Sequence, residues 1–162
     1  MSIIWFLGMP GAGKTVLGNR FARMIGVTCF DSDDYQTARD RELIGKLQFT
    51  QEHCDAQLNR IVDAVRVLGR CIVAHPLPNP ESRAWAHAHD GTLVYVRAPV
   101  PLVHLRLKSE ERKHHHFRPE MLKPWILRHW VEPEHEGCFV IDNTFDNTAV
   151  NERLGELRSL LC

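Results

Sequence analysis

Gly8-Met9-Pro10-Gly11-Ala12-Gly13-Lys14-Thr15 sets four residues between Gly8 and Gly13 and follows them with Lys and Thr, the Walker A spacing. Backbone can crowd a phosphate chain only where side chains are missing. Gly8, Gly11 and Gly13 meet that need, letting successive N–H groups turn inward as an anion nest. Lys14 opens a helix behind the nest, so a helix dipole and an ammonium meet the same phosphates, and the Thr15 hydroxyl is placed to ligate Mg²⁺. Upstream, Ile3-Ile4-Trp5-Phe6-Leu7 is a continuous apolar run, as in a buried parallel strand. Downstream, Val16, Leu17, Phe21, Met24 and Ile25 recur at helical spacing, and Gly26 stands where a helix-ending glycine belongs. Strand, glycine loop and helix thus follow in the order that a phosphate site requires.

The 162 residues suffice for one domain with a real core, taken as residues 1–162. Lys+Arg and Asp+Glu balance at 20 each, so overall charge demands neither a nucleic acid nor a membrane surface. No apolar run approaches the ~20 residues of a membrane span, and the apolar start lacks the length and basic leader of a signal peptide. The expected location is the cytoplasm. Cys29, Cys54, Cys71, Cys138 and Cys162 are an odd number without a C-x-x-C pair, and the three beside apolar strand residues read as small buried thiols.

Further along, Val27 to Phe30 predicts a second strand that ends in Asp31-Ser32-Asp33-Asp34. Ligands gather at the carboxyl ends of parallel strands, so these acids should face the phosphates. Tyr35 to Leu43 is weakly helical. A better helix begins after Thr50, an N-cap with His53 in the capping-box position, and runs to Gly69 with Leu58, Ile61, Val62, Val65 and Leu68 on its apolar face. Cys71 to Ala74 is the third strand and ends in the rigid loop His75-Pro76-Leu77-Pro78-Asn79-Pro80. A short helix from Ser82 leads to a fourth strand, Thr92 to Val96, and another helix spans Pro101 to Lys108. From Arg106 to Arg128 the composition turns basic, with His114, His115 and His116 and the aromatics Phe117 and Trp125 interleaved; a mobile lid over residues 109–130 is expected there. Cys138 to Ile141 gives the fifth strand, running into Asp142-Asn143-Thr144, and a last amphipathic helix covers Thr148 to Leu161. Five short strands alternating with helices specify an α/β fold, a doubly wound five-stranded parallel sheet with the glycine loop at its centre.

With the Walker A motif, Phe30-Asp31-Ser32-Asp33 resembles the Asp-x-Asp element of the shikimate kinase, gluconokinase and adenylyl-sulfate kinase group. Arg106-Leu107-Lys108, Arg112 to Phe117, Met121-Leu122 and Glu132-Pro133 are similar to the gluconokinase lid, and Phe49-Thr50 through Val73-Ala74 is more similar to adenylyl-sulfate kinase. The acceptor half departs from the group. Cys54 stands at the position of an acceptor-gripping Arg, Gln57 at that of an Asn, and His75-Pro76-Leu77-Pro78 replaces a triple-glycine loop.

The resemblance implies an ATP-dependent kinase, using Mg²⁺, that phosphorylates a hydroxyl acceptor. Lys14 and the amides of Gly8, Gly11, Ala12, Gly13, Lys14 and Thr15 would hold the phosphates, with Thr15 and Asp31 serving the metal. Asp33 would be the catalytic base, though Asp31 and Asp33 can exchange these roles. Arg112 is the lid cation expected to meet the transferring phosphoryl, with Arg106 and Arg118 behind it; Arg106 reads equally as a helix-surface residue. Acceptor contacts are assigned to Asp33, Asp34 and Arg41, to His53, His75 and His115, and to Arg118. Asn143 is assigned to the nucleotide, an ordinary polar loop being the alternative. Two other functions stay open: a kinase acting on a nucleotide, a polynucleotide end or a hydroxymethylated DNA base, which a basic aromatic lid would suit, and an ATP-binding module without transfer. No Asn/Thr-Lys-x-Asp guanine motif is present, which disfavours a GTPase.

Overall fold

Ile3 to Leu7 are all fully buried, which only a central strand covered on both faces allows. That strand, β1 (Ser2–Leu7), pairs in parallel with β3 (Arg70–Ala74) on one side and β4 (Gly91–Arg97) on the other. With β2 (Cys29–Asp31) and β5 (Phe139–Asp142) the sheet is parallel throughout, in the order β2-β3-β1-β4-β5. The structure, a computed structural model, describes residues 2–109, 117–133, 137–144 and 146–162. Arg112, His115 and the rest of the histidine run lie outside the described residues.

Seven helices are described: α1 (Lys14–Ile25), α2 (Ala38–Gly45), α3 (Gln51–Val65), α4 (Pro80–Ala88), α5 (Val100–Leu107), α6 (Leu122–His129) and α7 (Asn147–Leu161). Side chains alternate across a strand, so β1 feeds two cores. Ile4 and Phe6 join Leu17 and Phe21 of α1 and Leu154 and Leu157 of α7. Ile3, Trp5 and Leu7 join Leu58, Ile61 and Val65 of α3 and Ala86 of α4. Each large apolar side chain removed from water contributes about 1.5–3 kcal/mol, so β1 is the strand least able to shift.

Several helix ends differ from the sequence expectation, each for a capping reason. α1 stops at Gly26, which takes a left-handed φ of 70° and donates its N–H to the Ala22 carbonyl, as expected. The weak helix starts later, at Ala38, because Thr37 and Asp40 form a reciprocal capping box; the residues before it, Ser32–Tyr35, make a 3₁₀ turn capped by Asp31. α4 starts at Pro80, a residue suited to the first helical position, with Asn79 as its cap.

Candidate active site

Parallel strands bring every carboxyl end to one edge of the sheet, and there a cavity of about 650 Å³ opens. Its walls come from the glycine loop after β1, the acids after β2, the proline loop after β3, the start of α3, and Phe117 with α6.

The glycine loop is held by close backbone approaches. A Cβ on Gly8 would lie 2.5 Å from the Val96 carbonyl oxygen, and one on Gly13, at φ 98°, would lie 2.3 Å from Asn143 Nδ2. Asn143 Nδ2 donates to the Ala12 carbonyl at 2.7 Å, and Arg106 Nη1 donates to the same oxygen at 3.1 Å. Arg106 Nη2 also reaches the Asn143 carbonyl at 3.3 Å. These contacts give three of the expected residues partners within the protein. Ala12 donates its N–H to the Met9 carbonyl at 3.0 Å, a bond within the loop. Asn143 is a strut under the loop and does not line the cavity. Arg106 is neither a lid cation nor a free surface residue; it clamps the loop to the end of β5.

Gly11, Gly13, Lys14 and Thr15 do line the cavity. Lys14 Nζ donates to the Met9 carbonyl at 2.9 Å. Thr15 Oγ1 donates to Asp31 Oδ2 at 2.6 Å, joining the end of β2 to the start of α1. Asp31 Oδ1 accepts from the Asp33 N–H at 3.0 Å, and Asp33 Oδ1 accepts from Gln36 Nε2 at 2.7 Å. The 3₁₀ turn sends successive side chains about a third of a turn apart, so Asp33 faces the cavity while Asp34 points to solvent. Asp34 therefore leaves the site. A hydroxyl and a carboxylate side by side are hard oxygen donors of the kind Mg²⁺ prefers, so Thr15 and Asp31 fit that ion.

The loop after β3 is strained and strapped. Leu77 is wholly buried at a positive φ of 42°. Its N–H donates to His75 Nδ1 at 3.0 Å, and its carbonyl accepts from Nη1 of the fully buried Arg83 at 2.9 Å. The Pro76 carbonyl accepts from Gly8 N–H at 3.3 Å, and the Pro78 carbonyl from Val131 N–H at 2.8 Å. Because Nδ1 is the acceptor, the proton of a neutral His75 resides on Nε2. Burial, aided by the Lys14 charge and opposed by Asp33, pushes His75 down to about 3, so the ring that lines the cavity is neutral.

Other expected acceptor contacts are elsewhere. His53 Nδ1 sits 2.6 Å from Thr50 Oγ1 in the α3 capping box and does not line the cavity. Arg41 and Arg118 are exposed and do not line it. The sequence reading missed Gln36, which holds Asp33; it weighed Cys54 and Gln57 only as substitutions, yet both line the cavity. Gln57 Nε2 fixes the acid turn through the Ser32 carbonyl at 2.7 Å. Their signal was the α3 spacing, which puts Cys54 and Gln57 on one face. Gln36 carried no such signal.

The lid aromatics are turned inward. Phe117 is buried and meets Trp125 edge-on at 6.1 Å, and Trp130 packs on Trp125 at 5.9 Å and Tyr95 at 6.0 Å. An open stacking platform for nucleic acid bases is not built by these rings. Among the described residues no helix is long and apolar enough to cross a membrane, and all five cysteines are free thiols.

No family model matches the chain. A shikimate kinase from Thermosynechococcus vestitus is 28% identical over 120 residues, covering 68% of this chain and 62% of that protein. The chain thus aligns with under two thirds of the length of such a relative. A gluconokinase structure from Sinorhizobium meliloti superimposes with a TM-score of 0.78 at 18% identity, covering 98% of this chain and 92% of that one. An APS kinase from Mycobacterium tuberculosis, solved with AMPPNP and APS, gives a TM-score of 0.66 at 20% identity over 99% and 98% of the two chains. Sequence relatives and structural neighbours fall in one group, the P-loop small-molecule kinases, and the fold is theirs.

Proposed function

We propose that this chain is an ATP-dependent kinase that transfers the γ-phosphoryl of ATP to a hydroxyl of a small molecule. One observation carries the reading: Asp33 lines the same cavity as Lys14 and Thr15, so an acceptor alcohol and a phosphate chain would share one enclosure. Phosphoryl transfer asks for in-line placement, charge neutralisation and an activated alcohol, and little covalent work from protein. On ATP binding, Lys14 exchanges the Met9 carbonyl for phosphate oxygens, and the amides of Gly11, Gly13, Lys14 and Thr15 cradle them. Thr15 and Asp31 would hold Mg²⁺, which when bound neutralises charge on the phosphate oxygens.

Asp33 accepts the alcohol proton on its carboxylate, with Gln36 fixing its direction and Asp31 committed to Thr15 and the turn. Neutral His75 can donate from Nε2 without adding charge. Arg112 stays assigned to the transferring phosphoryl and His115 to the acceptor, within a lid of roughly 109–130, in the cytoplasm. Purified protein is incubated with labelled ATP, Mg²⁺ and a panel of sugars, sugar acids, nucleosides and neutral alcohols. Acceptor-dependent transfer that Lys14→Ala abolishes is the expected result. ATP binding with no transfer to any class would overturn the reading.

A further inference from the structure

We infer that the acceptor is an uncharged alcohol carried on a flat, apolar body, held by an aromatic and aliphatic wall in place of an anion-gripping arginine. This rests on the kinase reading for the word acceptor; the pocket chemistry stands on its own residues. The cavity that Lys14 and Asp33 line is also walled by Ile44, Leu47, Phe49, Cys54, Phe117 and Trp125. The described lining includes no arginine, and its carboxylates, Asp31 and Asp33, would repel an anionic substrate. Lys14, the lysine of the lining, belongs to the phosphate loop, and the described arginines nearby are otherwise placed. Arg106 clamps the glycine loop, Arg128 leans on the Leu47 carbonyl from the surface, and Arg118 is exposed. Arg60 pairs with the buried Asp40 and reaches the Tyr35 carbonyl, behind the wall.

Several polar groups of the wall bond to protein, while Gln36 Oε1 has no hydrogen-bond partner among the described residues. Gln51 accepts from Asn79 Nδ2 at 2.6 Å and donates to Asp55 at 2.7 Å, while Gln57 is held by Ser32. His75 and His129 are both held toward the neutral form, chiefly by burial. What is left for an acceptor is a few hydrogen bonds near Asp33 and Gln36 and the apolar lining to which Phe49, Phe117 and Trp125 contribute their rings. Such a lining selects by shape and apolar area.

The test uses a matched pair, benzyl alcohol and its para-carboxylate counterpart, on the full chain with a non-hydrolysable ATP analogue. Binding is followed by tryptophan fluorescence and calorimetry, and turnover with labelled ATP. The neutral member should bind at least tenfold tighter, and Trp125→Ala should weaken it at least fivefold while ATP affinity stays within twofold. Cys54→Arg, or Leu47→Arg should the first not fold, should narrow or reverse the preference. Equal or tighter binding of the carboxylate, or no binding of either member, overturns the inference. Tight neutral binding without transfer to any alcohol supports the pocket and sinks the kinase reading.

Discussion

Asp33 and His75 line one cavity with the glycine loop, and their surroundings assign them opposite duties. Asp33 accepts from Gln36 Nε2, which aims its carboxylate into the cavity beside Lys14 and Thr15. A positioned base contributes about 10²–10⁴ in rate, so Asp33→Asn should lower kcat by that order while ATP affinity changes less than threefold. Steady-state kinetics beside equilibrium ATP titration read the two separately, and a near-native kcat would return the base role to Asp31. His75 is fixed neutral, titrating near 3 in the folded chain against 6.5 ordinarily. Between those values the unfolded chain binds the extra proton, so stability falls as pH falls, by up to about 1.4 kcal/mol per pH unit. His75→Asn, which keeps an acceptor for the Leu77 N–H, should flatten the slope of denaturation midpoint against pH between 6.5 and 4.

At the scale of elements, the glycine loop owes its shape to partners remote in sequence. Asn143 and Arg106 converge on one Ala12 carbonyl, each able to satisfy part of it alone. Removing either side chain should therefore be milder than removing both. In a double-mutant cycle Asn143→Ala and Arg106→Ala should couple by about 0.5–3 kcal/mol, read by chemical denaturation. Additive effects would mean that the two contacts act independently. The proline loop depends in the same way on Arg83, whose loss leaves a buried Leu77 carbonyl short of a donor, at a cost of roughly 1–3 kcal/mol. Arg83→Met should lower Tm and weaken ATP and acceptor alike, since this loop touches Gly8.

Taken whole, the molecule joins its two cores through β1, and the site lies where the loops of that sheet meet. A ligand bound there stabilises the whole fold, by about 2.7 kcal/mol at a hundred times its Kd. ATP with Mg²⁺ should raise the Tm of the wild-type chain, and Lys14→Ala should lose most of that rise with its ligand-free Tm little changed. Thermal unfolding with and without nucleotide decides it. The sequence by itself determined the alternation of strands and helices and the central glycine loop with Lys14 and Thr15 at the head of its helix, because those depend on local spacing and backbone freedom. Only tertiary structure decided that Ala12, Asn143 and Arg106 form a brace, that His53 caps a helix, that Asp34, Arg41 and Arg118 face solvent, and that Gln36 holds Asp33. A polar side chain near a strand end is equally suited to bind a ligand or a neighbouring backbone group. Which one it meets is fixed by packing between segments as many as 131 positions apart, and nearest-neighbour spacing holds no record of that.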